Sequence, residues 1–395
     1  MYFIHIKKFV FSVLIFLLVF SFIGTSPRVW AQSNMVQDKK IVGYYASWAA
    51  YSGFSPDQID PTKLTHINYA FANISQDLKI SLGDPYIDYF NIMRLNNLRS
   101  INPDIKILIS VGGWTWSDKF SDVALTEESR TIFANSCLEF IQTYGFDGID
   151  IDWEFPVSGG LPTNKYRPED KENFTFLLRT IREKLDEQSI MDGKEYVLTI
   201  AGSAGTIGVD NLELGEIHQY IDFANIMTYD FHGAWDKYTD FNAPLYTNHD
   251  SLNYFKPSVD ESIKSWINSG FPREKIVMGI PFSGKLYNNV EAWDNGLYQS
   301  FEGSSVISFG EISTKYLYNQ AFLRHYHPVA MAPWLYNGTT FISYEDEESI
   351  YYKSEYIKLN GLGGAMIWEL SEDPNRILLD FLYQSLQYEN IYESY

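Results

Sequence analysis

The sequence predicts an α/β chain folded as a (β/α)8 barrel, a TIM barrel, with a small α+β insertion between its seventh and eighth strands. Three observations predict it. Eight short runs rich in β-branched and aromatic residues recur along the chain, and helix-like stretches with apolar residues at three- and four-residue spacing lie between most of them. One tract at about 284–343, rich in Tyr, Phe, Asn and Gly, breaks that rhythm. Strand, crossover helix and next strand, repeated eight times over roughly 330 residues, is the pattern of a barrel.

The elements follow in order. Residues 1–31 place Lys7 and Lys8 before an apolar run at 9–24, then Val29-Trp30-Ala31 as a small-x-small-like cleavage signal. They read as a secretory signal peptide cut near Ala31, and an uncleaved N-terminal anchor is the alternative. The barrel then occupies 32–395. Its first three strands are KIVGYYAS (40–47), LTHINYAFA (64–72) and IKILISVGG (105–113). The amphipathic segment EESRTIFANSCLEFIQTYG (127–145) closes on a glycine and leads to strand four, FDGIDIDWE (146–154). KENFTFLLRTIREKLDEQ (171–188) is the next helix, followed by EYVLTIAG (195–202), FANIMTYD (223–230), KIVMGIPF (275–282) and LGGAMIWEL (362–370). The tract 284–343 holds alternating pieces such as SSVISF and TTFISYE and one helix-like patch at 312–325, so it is expected to stand on the C-terminal face and raise one wall of a cleft.

Composition narrows the function classes. The 395 residues are 45% hydrophobic and 17% aromatic, ample for a large core. The formal charge is −20, and removal of 1–31 takes away three cations and no acids. So acidic a surface argues against nucleic acid and anionic membranes as partners and is compatible with a neutral or cationic substrate. The single cysteine, Cys137, has no partner for an internal disulfide and sits in an apolar helix-like stretch, so it reads as a small buried hydrophobe. Seven histidines lie scattered without metal-ligand spacing, and His232 reads as a cleft-rim residue. No metal and no cofactor is expected. A monomer is expected.

The chemistry concentrates in FDGIDIDWEFP, where Asp147, Asp150, Asp152 and Glu154 stand among Ile, Trp, Phe and Pro. A carboxylate kept out of water without partners costs kilocalories, so the pattern needs a use. Strand side chains alternate in direction, which puts Asp150, Asp152 and Glu154 on one face and Ile149, Ile151 and Trp153 on the other. In a barrel the apolar face packs on helices and the acids point inward, about 6.5–7 Å apart along the strand, close enough to share protons. Glu154 then lies at the C-terminal end of the strand, where barrel active sites are built, with a proton affinity raised by like charges and suited to a general acid.

DGIDIDWE matches the DxxDxDxE signature of glycoside hydrolase family 18, the chitinase family, and the chain resembles that family over everything after residue 31. Ser110-Val111-Gly112-Gly113, followed by Trp114, matches its SxGG motif, and Met227-Thr228-Tyr229-Asp230 its MxYD motif. The resemblance implies a secreted, endo-acting chitinase that hydrolyses β-1,4-linked N-acetylglucosamine polymers, with the insertion as a chitin insertion domain. It implies substrate-assisted retention: Glu154 protonates the glycosidic oxygen, and the substrate's own 2-acetamido carbonyl attacks the anomeric carbon to give an oxazolinium ion. Asp152 then bonds the acetamido N–H, Asp150 holds the proton balance, Tyr229 holds the acetamido oxygen and Asp230 binds nearby, while Asp147 starts the strand. The motif residues Gly113 and Met227 line the site.

Aromatic subsites follow from the same resemblance. Tyr44 and Phe71 wall the cleavage subsite over Trp368 as its floor, Trp114 and Trp235 are leaving-group platforms, and Trp48 is a platform on the other side. Trp116, Trp266 and Trp334 are left to the core or the insertion. One motif departs: where many members carry PxYGR, this chain has Pro281-Phe282-Ser283-Gly284-Lys285, and Lys does not reproduce the Arg fork. A chitinase-like lectin of the same fold, a peptidoglycan- or spore-wall-directed hydrolase and a glycan-directed endo-β-N-acetylglucosaminidase are the alternatives.

Overall fold

The computed structural model describes residues 39–388; the signal-peptide segment 1–31 lies outside them. Its strands, in chain order, begin with β1 (Lys40–Ala46), β2 (His66–Ile74), a two-residue β3 (Ile80–Ser81) hairpinned onto β2, β4 (Lys106–Gly112), β5 (Gly148–Asp152), β6 (Val197–Ser203), β7 (Phe223–Met227) and β8 (Ile276–Pro281). Then come β9 (Ser283–Asn288), β10 (Gly303–Ser308), β11 (Leu323–His327), β12 (Ala332–Tyr336), β13 (Phe341–Ser343) and, last, β14 (Gly364–Trp368). Parallel ladders run β1-β14-β8-β7-β6-β5-β4-β2, and β1 pairs with β2 to close the circle. The closed eight-stranded parallel barrel is thus the observed fold.

All eight expected barrel strands are present, and most are shorter than the apolar runs that announced them. β5 stops at Asp152 because the next residue to bond outward, Glu154, gives its N–H to a side chain, Ser117 Oγ at 2.9 Å, and leaves the ladder. Helices pack outside. The helix Glu127–Tyr144 starts in a capping box between Thr126 and Ser129 and ends on Gly145 in the left-handed conformation, where the missing Cβ removes the steric penalty. Ile149 and Ile151 are fully buried, and Trp153 stacks on Phe120 at 5.5 Å and meets Phe174 edge-on at 5.4 Å. Cys137 and Trp266 are buried in the same core, and burial pushes the Cys137 thiol up.

Between β8 and β14, strands β9–β13 form an antiparallel sheet in the order β10-β9-β13-β12-β11. Its own core joins Tyr287, Trp334 and Phe341 to Phe241 of the loop after β7, with Phe241 and Trp334 rings 5.8 Å apart. The helix-like patch expected at 312–325 is mostly something else. Ile312–Tyr316 is a single wide turn, and Leu323–His327 is an antiparallel strand on β12, because its alternating, ring-rich residues find a ladder partner only in the folded sheet. Among the described residues no helix is long and apolar enough to cross a membrane.

Candidate active site

Asp150 sits at the bottom of the site, and the barrel register explains its surroundings. Ser110 of β4, Asp150 of β5 and Thr199 of β6 occupy one row of the ladder. Four donors converge on its carboxyl: Tyr44 Oη at 2.7 Å, Ser110 Oγ at 2.7 Å, Thr199 Oγ1 at 2.6 Å and Asn225 Nδ2 at 3.3 Å. Burial still raises its proton affinity, with those bonds working in the opposite direction. The expected proton-sharing contact between Asp150 and Asp152 is absent. With both Asp150 oxygens taken by side chains of β1, β4, β6 and β7, no hydrogen bond joins the two acids, and Asp152 Oδ1 is buried without any partner.

Asp152 is therefore an acid in an unfavourable field for a carboxylate. Burial first, then the charges of Glu154 and Asp150, lift its proton affinity far above the carboxylate range. Glu154, half-buried above it, is pushed up to about 7 by burial and by the Asp230 charge. A carboxyl with that affinity carries a proton through mildly acidic to neutral pH and can donate it. Its backbone is held on both sides, by Ser117 Oγ on its N–H and by Asn164 Nδ2 on its carbonyl at 2.9 Å. Asp147 stays away from this group: it accepts the Ile107 N–H at 2.8 Å and pairs with Arg99 at 2.6 Å at the strand entry.

The two glycines of the SVGG segment make room. A Cβ on Gly112 would lie 2.3 Å from the Asp152 carbonyl, and one on Gly113 would lie 2.7 Å from the Phe71 ring. Both have positive φ, +105° and +72°, which a side chain rarely adopts.

A cleft of about 480 Å3 opens over the acids. Tyr44, Phe71, Trp48 and Trp368 form its aromatic side: Phe71 stacks on Trp368 at 5.8 Å and 26°, Tyr44 meets Trp368 edge-on at 5.6 Å, and Trp48 leans on both Phe71 and Trp368. Trp114, Met227, Tyr229 and Asp230 complete the predicted set that lines it. The peptide bonds Ala70–Phe71, Glu154–Phe155 and Trp368–Glu369 are cis. Burial and the surrounding carboxylates keep the Tyr229 hydroxyl protonated, and it points to Met366 Sδ at 3.8 Å.

Four placements differ from those expected. Trp116, left to the core, lines the cleft, because the loop after β3 brings Gly83 under its ring and props it there. Gly113 supports Phe71 while Gly112 reaches the cavity itself, and Trp235 stands outside it, 65% exposed over Gly233. His232 is not at the rim: it is 2% exposed, with Nδ1 3.0 Å from Asp236 and Nε2 3.5 Å from Asp240, because the loop after β7 folds back over it. Asp240 also accepts from Ser251 and Asn253, which knits that loop together.

Sequence reasoning missed Ser117, Asn164, Thr199 and Asn225. Ser117 directly follows the SVGGWTW stretch, so its neighbourhood was visible; Asn164 carried no signal. The inserted sheet contributes no residue to the cavity lining among the described residues, and meets the site through Lys285, whose Nζ lies 2.7 Å from Asp230 Oδ1.

A family model described as glycosyl hydrolases family 18 matches residues 40–373. Chitinase A1 of Niallia circulans is 42% identical over 420 residues, covering 90% of this chain and 60% of that protein, so the chain spans less than two thirds of that relative. Chitotriosidase-1 of Mus musculus is 33% identical over 85% of this chain and 73% of its own length. Among solved structures, chitinase ChiA74 from Bacillus thuringiensis superposes with a TM-score of 0.85 at 36% identity, covering 90% of this chain and 71% of that one. A Paenibacillus barengoltzii N-acetylglucosaminidase superposes with a TM-score of 0.80 at 38% identity, over 88% of this chain and all of that one. With its barrel, its acids and these matches taken together, the chain belongs to glycosyl hydrolase family 18.

Proposed function

We propose that this chain is a secreted chitinase that hydrolyses β-1,4 links between N-acetylglucosamine units with retention at the anomeric carbon. The observation that carries the reading is the carboxyl of Glu154, held with a proton affinity near neutral pH at the open end of an aromatic cleft. In this reading the sugar binds against Trp368, Tyr44 and Phe71, whose flat faces suit pyranose rings. Glu154 gives its proton to the glycosidic oxygen as that bond breaks. The acetamido carbonyl of the same sugar bonds to the anomeric carbon, giving an oxazolinium ion, and Asp152 accepts a hydrogen bond from the acetamido N–H. Asp152 is poised for this because its buried Oδ1 has no hydrogen-bond partner among the described residues, so bonding the amide removes a standing cost. Asp150, held by four donors, keeps negative charge below it, and Tyr229 donates its hydroxyl to the acetamido oxygen. Water activated by Glu154, now a carboxylate, then opens the ring on the same face.

Export rests on the signal-like segment 1–31, and the endo mode on the resemblance to the chitinase family. The full-length match to an N-acetylglucosaminidase structure supports a second reading, in which single N-acetylglucosamine units are released. Chitohexaose digestion separates them: internal cleavage to di- to tetramers fits the first, monomer release the second. The test of the shared chemistry is Glu154→Gln, expected to bind oligomers and not cleave them. Turnover within tenfold of the parent enzyme would sink the assignment.

A further inference from the structure

Lys285 is a buried cation with a specific target. It projects from β9, the first strand of the inserted sheet, where its register partners are Val306 and Ser343, and it is 6% exposed. Its ammonium meets Asp230 at 2.7 Å, the one ion pair found for it among the described residues. Asp230 is held at that spot by its backbone. Its φ of +55° lies in the left-handed region, and its N–H donates to Asn242 Oδ1 at 3.2 Å. Asn242 in turn donates its own N–H to Ser343 Oγ at 2.8 Å and its amide to the Ser283 carbonyl at 3.5 Å, both on the inserted sheet. The inserted sheet thus grips the loop after β7 at Asn242 and at Asp230.

We infer that Lys285 is a positioning residue for the reaction: from the inserted sheet it holds Asp230 and screens the charge that Asp230 presents to Glu154. The inference rests on the proposed role of Glu154 as proton donor. Lys285 touches neither Glu154 nor the cavity, so it acts through Asp230. The groups that surround this pair can be named. Glu154 has Asp152 beneath it, Asp230 across the cleft and Tyr229 beside it, with Asp150 deeper in the barrel. Asp230 has Lys285 and the Tyr287 phenol from β9, and Asp236 and Asp240 with His232 lie further along its own loop. Among all these, Lys285 is the cation that opposes the Asp230 charge. Burial alone would raise the proton affinity of Glu154, and Asp230 raises it further. Removing the ammonium strengthens the negative field on Glu154 twice, by freeing Asp230 and by deleting a positive charge, so the proton is held to higher pH.

Lysine also fits better here than the sequence comparison suggested. A slim ammonium makes one point contact with a carboxylate oxygen, here Asp230 Oδ1, whereas an Arg fork favours taking both oxygens.

The test is the pH profile of kcat/KM on a chitooligosaccharide for Lys285→Met and Lys285→Arg, with melting curves to establish that both fold. In Lys285→Met the alkaline limb is expected to move up by about 0.3–1 pH unit, and Lys285→Arg is expected to restore it. In an Asp230→Asn background the Lys285→Met shift should shrink to less than half. A limb that moves down, or up by less than about 0.3 unit, overturns the inference. So does an undiminished shift in the Asp230→Asn background. The same ionisation is read without turnover from tryptophan fluorescence against pH, since Trp48 and Trp368 flank the acid, with Glu154→Gln as the blank. If no oligomer is cleaved but this titration moves as stated, the proposed activity fails while the screening of Asp230 by Lys285 stands.

Discussion

Ser117 Oγ accepts the backbone N–H of Glu154 at 2.9 Å and donates to the Gly113 carbonyl at 2.8 Å, so one hydroxyl ties the proposed proton donor to the turn after β4. Glu154 has left its strand by this point, and this bond replaces the ladder. Ser117→Ala leaves a buried N–H unpaired and lets the carboxyl drift. A fall in kcat of about 10-fold is expected, from roughly 1.4 kcal/mol of lost positioning, with KM little changed and a lowered melting temperature. Steady-state kinetics on a labelled oligomer check the split. A rise in KM at constant kcat would contradict it.

The raised proton affinity of Glu154 has consequences for rate and for stability. As a donor it must be protonated, so kcat/KM is expected to fall with rising pH through an apparent value near 7. The stability sign follows from linkage. The folded value, about 7, exceeds the ordinary glutamate value of 4.5, so the native state binds the proton more tightly and the group's contribution is full below 4.5 and lost as pH rises through 7. Glu154→Gln cannot ionise. Its melting temperature relative to the parent should therefore rise between pH 5 and pH 8, as read by scanning fluorimetry at the two pH values, and an unchanged difference would rule out the burial argument.

Gly112 tests the close packing under Asp152. At φ +105°, with the Asp152 carbonyl 2.3 Å from where a Cβ would sit, Gly112→Ala must move β5 against β4. A loss of about 2–4 kcal/mol of stability is expected, with activity lost in step. Denaturant melts give the first number. Gly159→Ala in the loop after β5, whose added Cβ would come no closer than 3.4 Å to the Phe155 ring, also has positive φ and separates backbone strain from the clash.

What could be read in advance, and what could not, follows from the range of each cause. Asp150, Asp152 and Glu154 declared their direction because alternation along a strand is local, and the Ile and Trp between them confirmed it. Eight strands were visible for the same reason. Their ends were not, since the point where β5 stops depends on Ser117, which is distant in sequence and reaches Glu154 only after the barrel closes. His232 was misplaced at a rim because its burial depends on the fold of the whole loop to Asn253. Trp116 was misplaced because Gly83, which props it, is over 30 residues away. The start of the LRHYH segment reads as helix-like in sequence because its ladder partner, β12, comes later in the chain.

Two tryptophans separate cleft from core most cleanly. Trp368 lines the cleft, stacked on Phe71 at 5.8 Å, and its indole faces the space a sugar would fill. Trp266 is fully buried, its Nε1 donating to the Ser203 carbonyl at 2.9 Å beneath the barrel wall. Trp368→Ala should cut kcat/KM by about 10–100-fold, equivalent to roughly 1.4–2.8 kcal/mol of lost ring contact, while the melting temperature moves little. Trp266→Ala should do the reverse, costing about 3–5 kcal/mol of stability through a cavity and an unpaired carbonyl, with the surviving folded enzyme retaining its kcat/KM. Paired activity assays and denaturant melts on both variants decide the matter. If Trp368→Ala unfolds the barrel, or Trp266→Ala keeps its stability and loses its rate, the division of this chain's aromatics into cleft and core is wrong.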